Sequence, residues 1–495
     1  MMARNRMTQR WMYVRVVLGL ALVLGVSPAL AASKKESIDK LAARYAEYQQ
    51  FNGTVLVADA RGVILKKGYG LANIEWRIPA APDTKFRLGS ITKQFTSMLI
   101  MQLVAEGKLK LDDPLGKLLP EYRQDTGSRI TLTHLLNHTS GIPSFTNHPD
   151  FAAKVSRNPF TTAELVKQYA SGDLEFEPGT KFAYNNSGYY LLGVIIERVT
   201  GKPYAQVLKE RIFDPVGMKD TGYDVSAEIL PKRASGYEST PEGIRNAPYI
   251  DMGIPYAAGA MYSTVEDLFL WDRALYADTL LSAELKQRMF TPGLKGYAFG
   301  WEYHDAKLDD GKTGIKVQGH GGGIEGFSTL ILRAPETKEV VILLSNNSRS
   351  NLQGLAMGIW SILRGVEPAP ARRSITVPMV AALAKGTIRD AISTYRALKA
   401  GKPEEYKFTP GELNSFGYQL MAKKRLEDAI EIFKLNVEMF PKDGNVHDSL
   451  GEAYLARGDK ALAIESYRRS LEFDPGNANA VRVLKGLEAP AAKAP

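Results

Sequence analysis

Gly89-Ser90-Ile91-Thr92-Lys93-Gln94-Phe95-Thr96-Ser97-Met98-Leu99-Ile100-Met101-Gln102-Leu103-Val104 is the stretch on which the reading of this 495-residue chain turns. Apolar side chains crowd every side of its helical wheel, which predicts a buried helix opening near Ser90. Ser90 and Lys93 stand i and i+3 on that helix, about 5–6 Å apart on one face, so the amine reaches the hydroxyl. Serine is a weak nucleophile at neutral pH, and an amine whose pKa has been lowered by burial can take its proton. The helix N-terminus adds free N–H groups and the positive end of the dipole where negative charge would develop. Together these features predict acyl transfer. Spacing is not sufficient by itself. Ser37 and Lys40 repeat it among Lys34, Lys35, Glu36 and Asp39, which reads as a solvated helix face.

Two further segments complete the pattern. Tyr184-Asn185-Asn186 follows the turn Glu177-Pro178-Gly179 and precedes an apolar, helix-like run from Tyr189 to Val199. A tyrosine hydroxyl beside a lysine can relay protons, and an asparagine amide can hold a substrate amide or carbonyl. Later comes Gly319-His320-Gly321-Gly322-Gly323, and then Phe327 to Arg333, which reads as a strand. Glycines there let a substrate approach extended backbone, whose N–H groups can face an oxyanion.

Serine with lysine, then tyrosine-x-asparagine, then a basic residue with glycines: in this order the set resembles the penicillin-recognising serine hydrolases. The likeness is to the branch holding class C β-lactamases, serine D-Ala-D-Ala carboxypeptidases and β-lactamase-like esterases. Thr84 to Ser90 and Leu132-Thr133-His134-Leu135-Leu136-Asn137-His138-Thr139-Ser140-Gly141-Ile142 are similar as well, and the resemblance covers residues 38–364. It implies Ser90 as acylated nucleophile, Lys93 as its base and Tyr184 as proton relay. It further implies Asn186, His320, Gly321 and Gly322 as substrate-binding residues, with the N–H groups of Ser90 and Gly323 as oxyanion hole. No cofactor and no metal are implied. His320 stands where many members carry lysine, and a neutral imidazole lacks the fixed charge that holds a carboxylate. No Glu-x-x-Leu-Asn segment is present, so deacylation by a class A type of glutamate is not implied.

Competing motifs have plainer readings. Gly321-x-Gly323-x-x-Gly326 has dinucleotide-binding spacing but precedes a strand where that motif requires a helix. His134 and His138 stand i, i+4, yet Leu135 occupies the place of a zincin glutamate, so helix packing or loop anchoring is expected. Ser140 lacks a G-x-S-x-G context and reads as a loop serine.

The remaining sequence sets the organisation. Residues 1–31 carry Arg4, Arg6, Arg10 and Arg15, an apolar run from Val16 to Val26, and Ala29-Leu30-Ala31. That is a secretory signal pattern with cleavage after Ala31, which predicts a periplasmic or secreted enzyme; an uncleaved N-terminal anchor is the alternative. Absence of cysteine excludes disulfides and thiol chemistry. Net charge is +9, or +5 once the four signal arginines are subtracted (9 minus 4), without a dense basic block, so nucleic acid is not an expected partner.

The expected fold is α/β (α+β), of the serine β-lactamase type. Hairpins at 53–69 and 327–345 would build one antiparallel sheet flanked by helices, with a helical insert from about 91 to 275. The hydrolase domain would span 32–364 and a Pro/Ala-rich linker 365–378. From 379 to 488 small and aromatic residues recur every 34 positions: Gly417 and Gly451, Ala429 and Ala463, Phe433 and Tyr467, Pro441 and Pro475. This resembles tetratricopeptide repeats, with Ala391, Ile392 and Tyr395 as a degenerate earlier unit and 489–495 as a flexible tail. The expected function is an exported serine hydrolase acting on a D-amino-acid peptide, an ester or a β-lactam, with a possible peptide or protein partner at the repeats. The alternative is a catalytically weak scaffold working through the repeats.

Overall fold

The computed structural model describes residues 28–488 apart from residue 241. The predicted signal therefore lies almost wholly outside the described residues, as does the predicted tail. Among the described residues no helix is long and apolar enough to cross a membrane.

Strands from both ends of the catalytic region form one antiparallel sheet. They are β1 (Gly53–Asp59), β2 (Gly62–Tyr69), β3 (Glu302–Lys307), β4 (Gly314–Ile324), β5 (Phe327–Ala334) and β6 (Glu339–Ser345), in the order β3-β4-β5-β6-β1-β2. The two hairpins expected from sequence are β1–β2 and β5–β6. β6 joins them, with Val55 opposite Leu343 and Val57 opposite Val341. Alternation along β1 sorts its side chains between two cores. Val55 and Val57 pack under α1 (Pro28–Glu47) and the helix Leu352–Leu363 with Leu41, Ile359 and Trp360. Leu56 and Ala58 join the larger core with Phe95, Met98 and Trp271.

The central helix is α2 (Thr92–Ala105), whose residues Thr92 to Met101 are all buried. Phe95 stacks on Trp271 at 4.3 Å, and the Trp271 indole N–H donates to the Gln94 side-chain oxygen at 3.0 Å. Beside it lies α3 (Asn186–Thr200), capped at its start by the Asn185 side chain and closed by left-handed Gly201. The insert is less uniformly helical than its composition predicts. It holds a polar hairpin, Tyr237–Thr240 with Gly243–Asn246, stitched to the end of β6 by bonds such as Ser239 N–H to the Asn347 side chain at 3.1 Å. These strands lack an apolar face, and what anchors them to the sheet lies about 108 residues away, so local pattern does not reveal them. Ser37 and Lys40 lie exposed on α1, as their polar context predicts.

Beyond the sheet the chain is helical. The helices Pro410–Ala422 and Gly444–Arg457 begin 34 residues apart, as do their partners Leu426–Met439 and Lys460–Phe473. In each hairpin a glycine of the first helix meets an aromatic ring of the second: Gly417 against Phe433 and Gly451 against Tyr467. The earlier unit is the helix Ile388–Gly401, with Ala391 and Tyr395 buried. One boundary shifts. The segment 365–378 is more than a linker: Val366 and Ala371 pack on the core beneath α1, Arg373–Ser374 pair with Tyr406–Lys407, and a helix already starts at Thr376. Its proline and alanine content describes an extended conformation, which here is laid down as a strap.

Candidate active site

Ser90 sits in a short turn, Gly89–Ile91, that runs directly into α2, so its N–H is among those a helix start leaves without an intrahelical acceptor. Behind it Lys93 is fully buried. Its amine lies 3.0 Å from Ser90 Oγ, 2.8 Å from Asn186 Oδ1 and 2.8 Å from the Ala258 carbonyl. Asn186 Oδ1 and the carbonyl can only accept, so together they take two N–H bonds. Burial pushes the Lys93 pKa well below that of an ordinary lysine, opposed by the charge of Glu302. A neutral amine bonded in this way directs its lone pair at the Ser90 hydroxyl.

Tyr184 closes the other side. Its ring lies 5.0 Å from the Lys93 amine, and its buried hydroxyl has no hydrogen-bond partner among the described residues. Burial raises its pKa above that of an ordinary phenol, with Ser90 pulling the other way. Tyr184 therefore holds its proton at neutral pH. Asn186, the first residue of α3, donates from Nδ2 to Thr146 Oγ1 at 3.0 Å, which fixes Oδ1 toward Lys93.

β4 supplies the third wall. β3 pairs with it only as far as Glu302 opposite Gly319, so residues 320–324 have β5 on one side and the Ser90 turn on the other. The contact is backbone on backbone. A Cβ on Gly322 would fall 1.9 Å from the Leu88 carbonyl, and one on Gly89, at φ +55°, 2.9 Å from Gly323 N. Thr329 Oγ1 on β5 donates to the same Leu88 carbonyl at 2.6 Å. Exposed Gly323 faces the opening with Ser90.

The structure thus gathers Ser90, Lys93, Tyr184, Asn186 and Gly323. His320, Gly321 and Gly322 do not line the small cavity at Ser90, and neither do Lys93 and Tyr184. The His320 imidazole is buried, with Nδ1 2.6 Å from the Gly321 carbonyl and Nε2 3.0 Å from the Tyr297 hydroxyl. The carbonyl requires the proton on Nδ1, which leaves Nε2 to accept from Tyr297. Burial brings its pKa down to about 4, so the ring is neutral at pH 7. The cavity itself, about 130 Å³, is walled by Phe145, Phe151, Ile250, Ile254 and Ile324, with Thr146 and Asn186 as polar points. These walls and the Ala258 carbonyl carry no sequence signature, because they are ordinary loop residues brought together only by folding.

The competing motifs resolve simply. Gly321 to Gly326 form the β4–β5 hairpin. His134 Nδ1 accepts from Thr131 N–H at 3.2 Å in a helix capping box, and His138 Nδ1 accepts from Asn185 N–H at 3.0 Å. Ser140 is buried in its loop.

A family model described as Beta-lactamase matches residues 38–362. The chain belongs to the beta-lactamase family. Among its relatives, penicillin-binding protein 4* of Bacillus subtilis is 31% identical over 338 residues, 63% of this chain and 72% of that protein. Of solved structures, the octameric penicillin-binding protein homologue from Pyrococcus abyssi is 30% identical with a TM-score of 0.58, covering 72% of this chain and 81% of the other. A D-stereospecific amidohydrolase from Streptomyces is 28% identical with a TM-score of 0.56, covering 67% and 98%. Membership in the beta-lactamase family makes this chain a serine hydrolase, and the family match stops at residue 362, ahead of the strap and the helical module.

Proposed function

We propose that this is an exported serine hydrolase that forms an acyl-enzyme at Ser90 on amides or esters with an apolar acyl group and an uncharged leaving group. The observation that carries the reading is the bonding of Lys93, whose two outward N–H bonds leave the lone pair for the Ser90 hydroxyl. In acylation the Ser90 proton passes to Lys93 as Oγ attacks the carbonyl carbon. The N–H groups of Ser90 and Gly323 hold the oxyanion, and Tyr184 gives its proton to the departing group as it recovers one from Lys93. In deacylation water attacks the ester along the reverse proton path. The apolar cavity and the neutral His320 favour uncharged substrates over those held by a free carboxylate. The D-stereospecific amidohydrolase among the similar structures adds D-amino-acid amides to the substrates worth trying first. The basic, apolar and A-x-A pattern of residues 1–31 supports export, and the tetratricopeptide-like period supports a peptide-docking role for the helical module.

Labelling with a fluorophosphonate and a fluorescent penicillin, followed by turnover of D-amino-acid amides, short esters and β-lactams, tests the reading. Ser90→Ala should abolish label and turnover while the fold persists; turnover within tenfold of wild type would sink the assignment. Lys93→Ala and Tyr184→Phe should each cost about 10²-fold or more, and far less than additively in combination.

A further inference from the structure

His138 is an expensive residue to keep. Its backbone is left-handed at φ +61°, its ring is buried, and Nε2 has no hydrogen-bond partner among the described residues. Because Nδ1 accepts from Asn185 N–H, the proton must sit on that orphaned Nε2. A leucine would fill the space but would leave the buried Asn185 N–H without its acceptor, so packing alone does not account for an imidazole here.

Its contacts point to a task. The His138 carbonyl accepts from Ala183 N–H at 2.9 Å and its Nδ1 from Asn185 N–H at 3.0 Å, so one residue grips the backbone on both sides of Tyr184. The ring lies 4.4 Å from that of Tyr184 and 4.4 Å from that of Tyr297. Farther along the loop, Ser144 Oγ accepts from Asn186 N–H at 3.1 Å, and Thr146 Oγ1 from the Asn186 amide at 3.0 Å. Ser187 Oγ closes the run, donating to the Pro143 carbonyl at 2.8 Å and accepting from Phe145 N–H at 2.9 Å.

We propose that the loop 138–146 is a splint for the catalytic tyrosine and asparagine, with His138 and Ser144 as positioning residues that set Tyr184 and Asn186 against Lys93. The inference rests on the reading of Ser90 as the acylated nucleophile. It extends to a segment that the sequence leaves as loop anchoring.

His138→Leu removes the acceptor and keeps the volume. His138→Asn keeps an acceptor at the place of Nδ1. His138→Leu should lower kcat for a small ester by about 10²-fold, as a misplaced relay does, with KM changed less than threefold, and His138→Asn should recover at least tenfold of that loss. A folded His138→Leu enzyme with kcat within threefold of wild type overturns the proposal, as does equal loss in both folded variants. Should His138→Leu not fold, Ser144→Ala decides: a fall in kcat of about tenfold at unchanged Tm supports the splint, and an unchanged kcat overturns it. Fluorophosphonate labelling of the wild type in the same assay separates the two levels. An unlabelled Ser90 removes the acyl-enzyme reading and the splint with it, whereas a labelled wild type with indifferent variants removes the splint alone.

Discussion

Lys93 joins two requirements that conflict in water, a basic amine and an uncharged one. Burial resolves them by penalising the ammonium form, and the Glu302 carboxylate limits the effect by favouring the charge. For Glu302 itself burial works against the charge, but the contact with His304 brings its pKa down all the same. The sign of a test follows. The amine works only when deprotonated, so kcat/KM for a neutral ester should fall on the acid side as Lys93 takes up a proton. Glu302→Gln removes the charge that favours the ammonium, so that limb should move to lower pH; pH–rate profiles of wild type and variant measure it. A limb that stays put or moves up would mean that Glu302 does not act on the base. His320, brought to about 4 chiefly by burial, is neutral above that pH.

At the scale of elements, β4 depends on glycine at one position more than at its neighbour. A methyl at Gly322 would meet the Leu88 carbonyl at 1.9 Å and Thr329 Oγ1 at 2.3 Å, whereas one at Gly321 would meet its nearest atom, the Thr329 carbonyl, at 3.8 Å. Gly322→Ala should therefore push the Ser90 turn away from the strand that carries Gly323. The expected cost is that of losing an oxyanion donor, about 10²–10³ in kcat, together with a lower Tm. Gly321→Ala should stay within about threefold of wild-type kcat, since only ordinary van der Waals contact awaits it. Equal effects of the two substitutions, read by steady-state kinetics and thermal melts, would show that the close approach of strand and turn is not what aligns the site.

On the scale of the whole molecule the question is where the hydrolase ends. The strap donates Ala369 N–H to Asp309 at 2.9 Å and packs Val366 and Ala371 on the core under α1, while Ile375 belongs to the helical module's core. A chain ending at Ser374 should hydrolyse a small ester at close to the full-length rate. One ending at Leu363 should melt roughly 1–3 °C lower, from about 1–2 kcal/mol of lost packing. Loss of small-ester turnover in the longer truncation would make the helices part of the catalytic fold. The limits of what sequence decides follow the same physics. Apolar, β-branched runs in β1 and β6, an apolar helix after Ser90, the i, i+3 lysine and the 34-residue recurrence are local quantities, so the sheet, the closeness of Lys93 to Ser90 and the helical repeats were legible in the order of residues. Tyr184 and Asn186 stood out through the turn before them and the apolar run after them, and folding sets both beside Lys93. The deprotonating environment of Lys93, the apolar walls around Ser90, the burial of His320 against Tyr297 and the splint at 138–146 depend on burial and on partners 23 to 241 residues away. Only tertiary structure decides such things, because desolvation and hydrogen-bond satisfaction belong to the space a residue occupies and not to its neighbours along the chain.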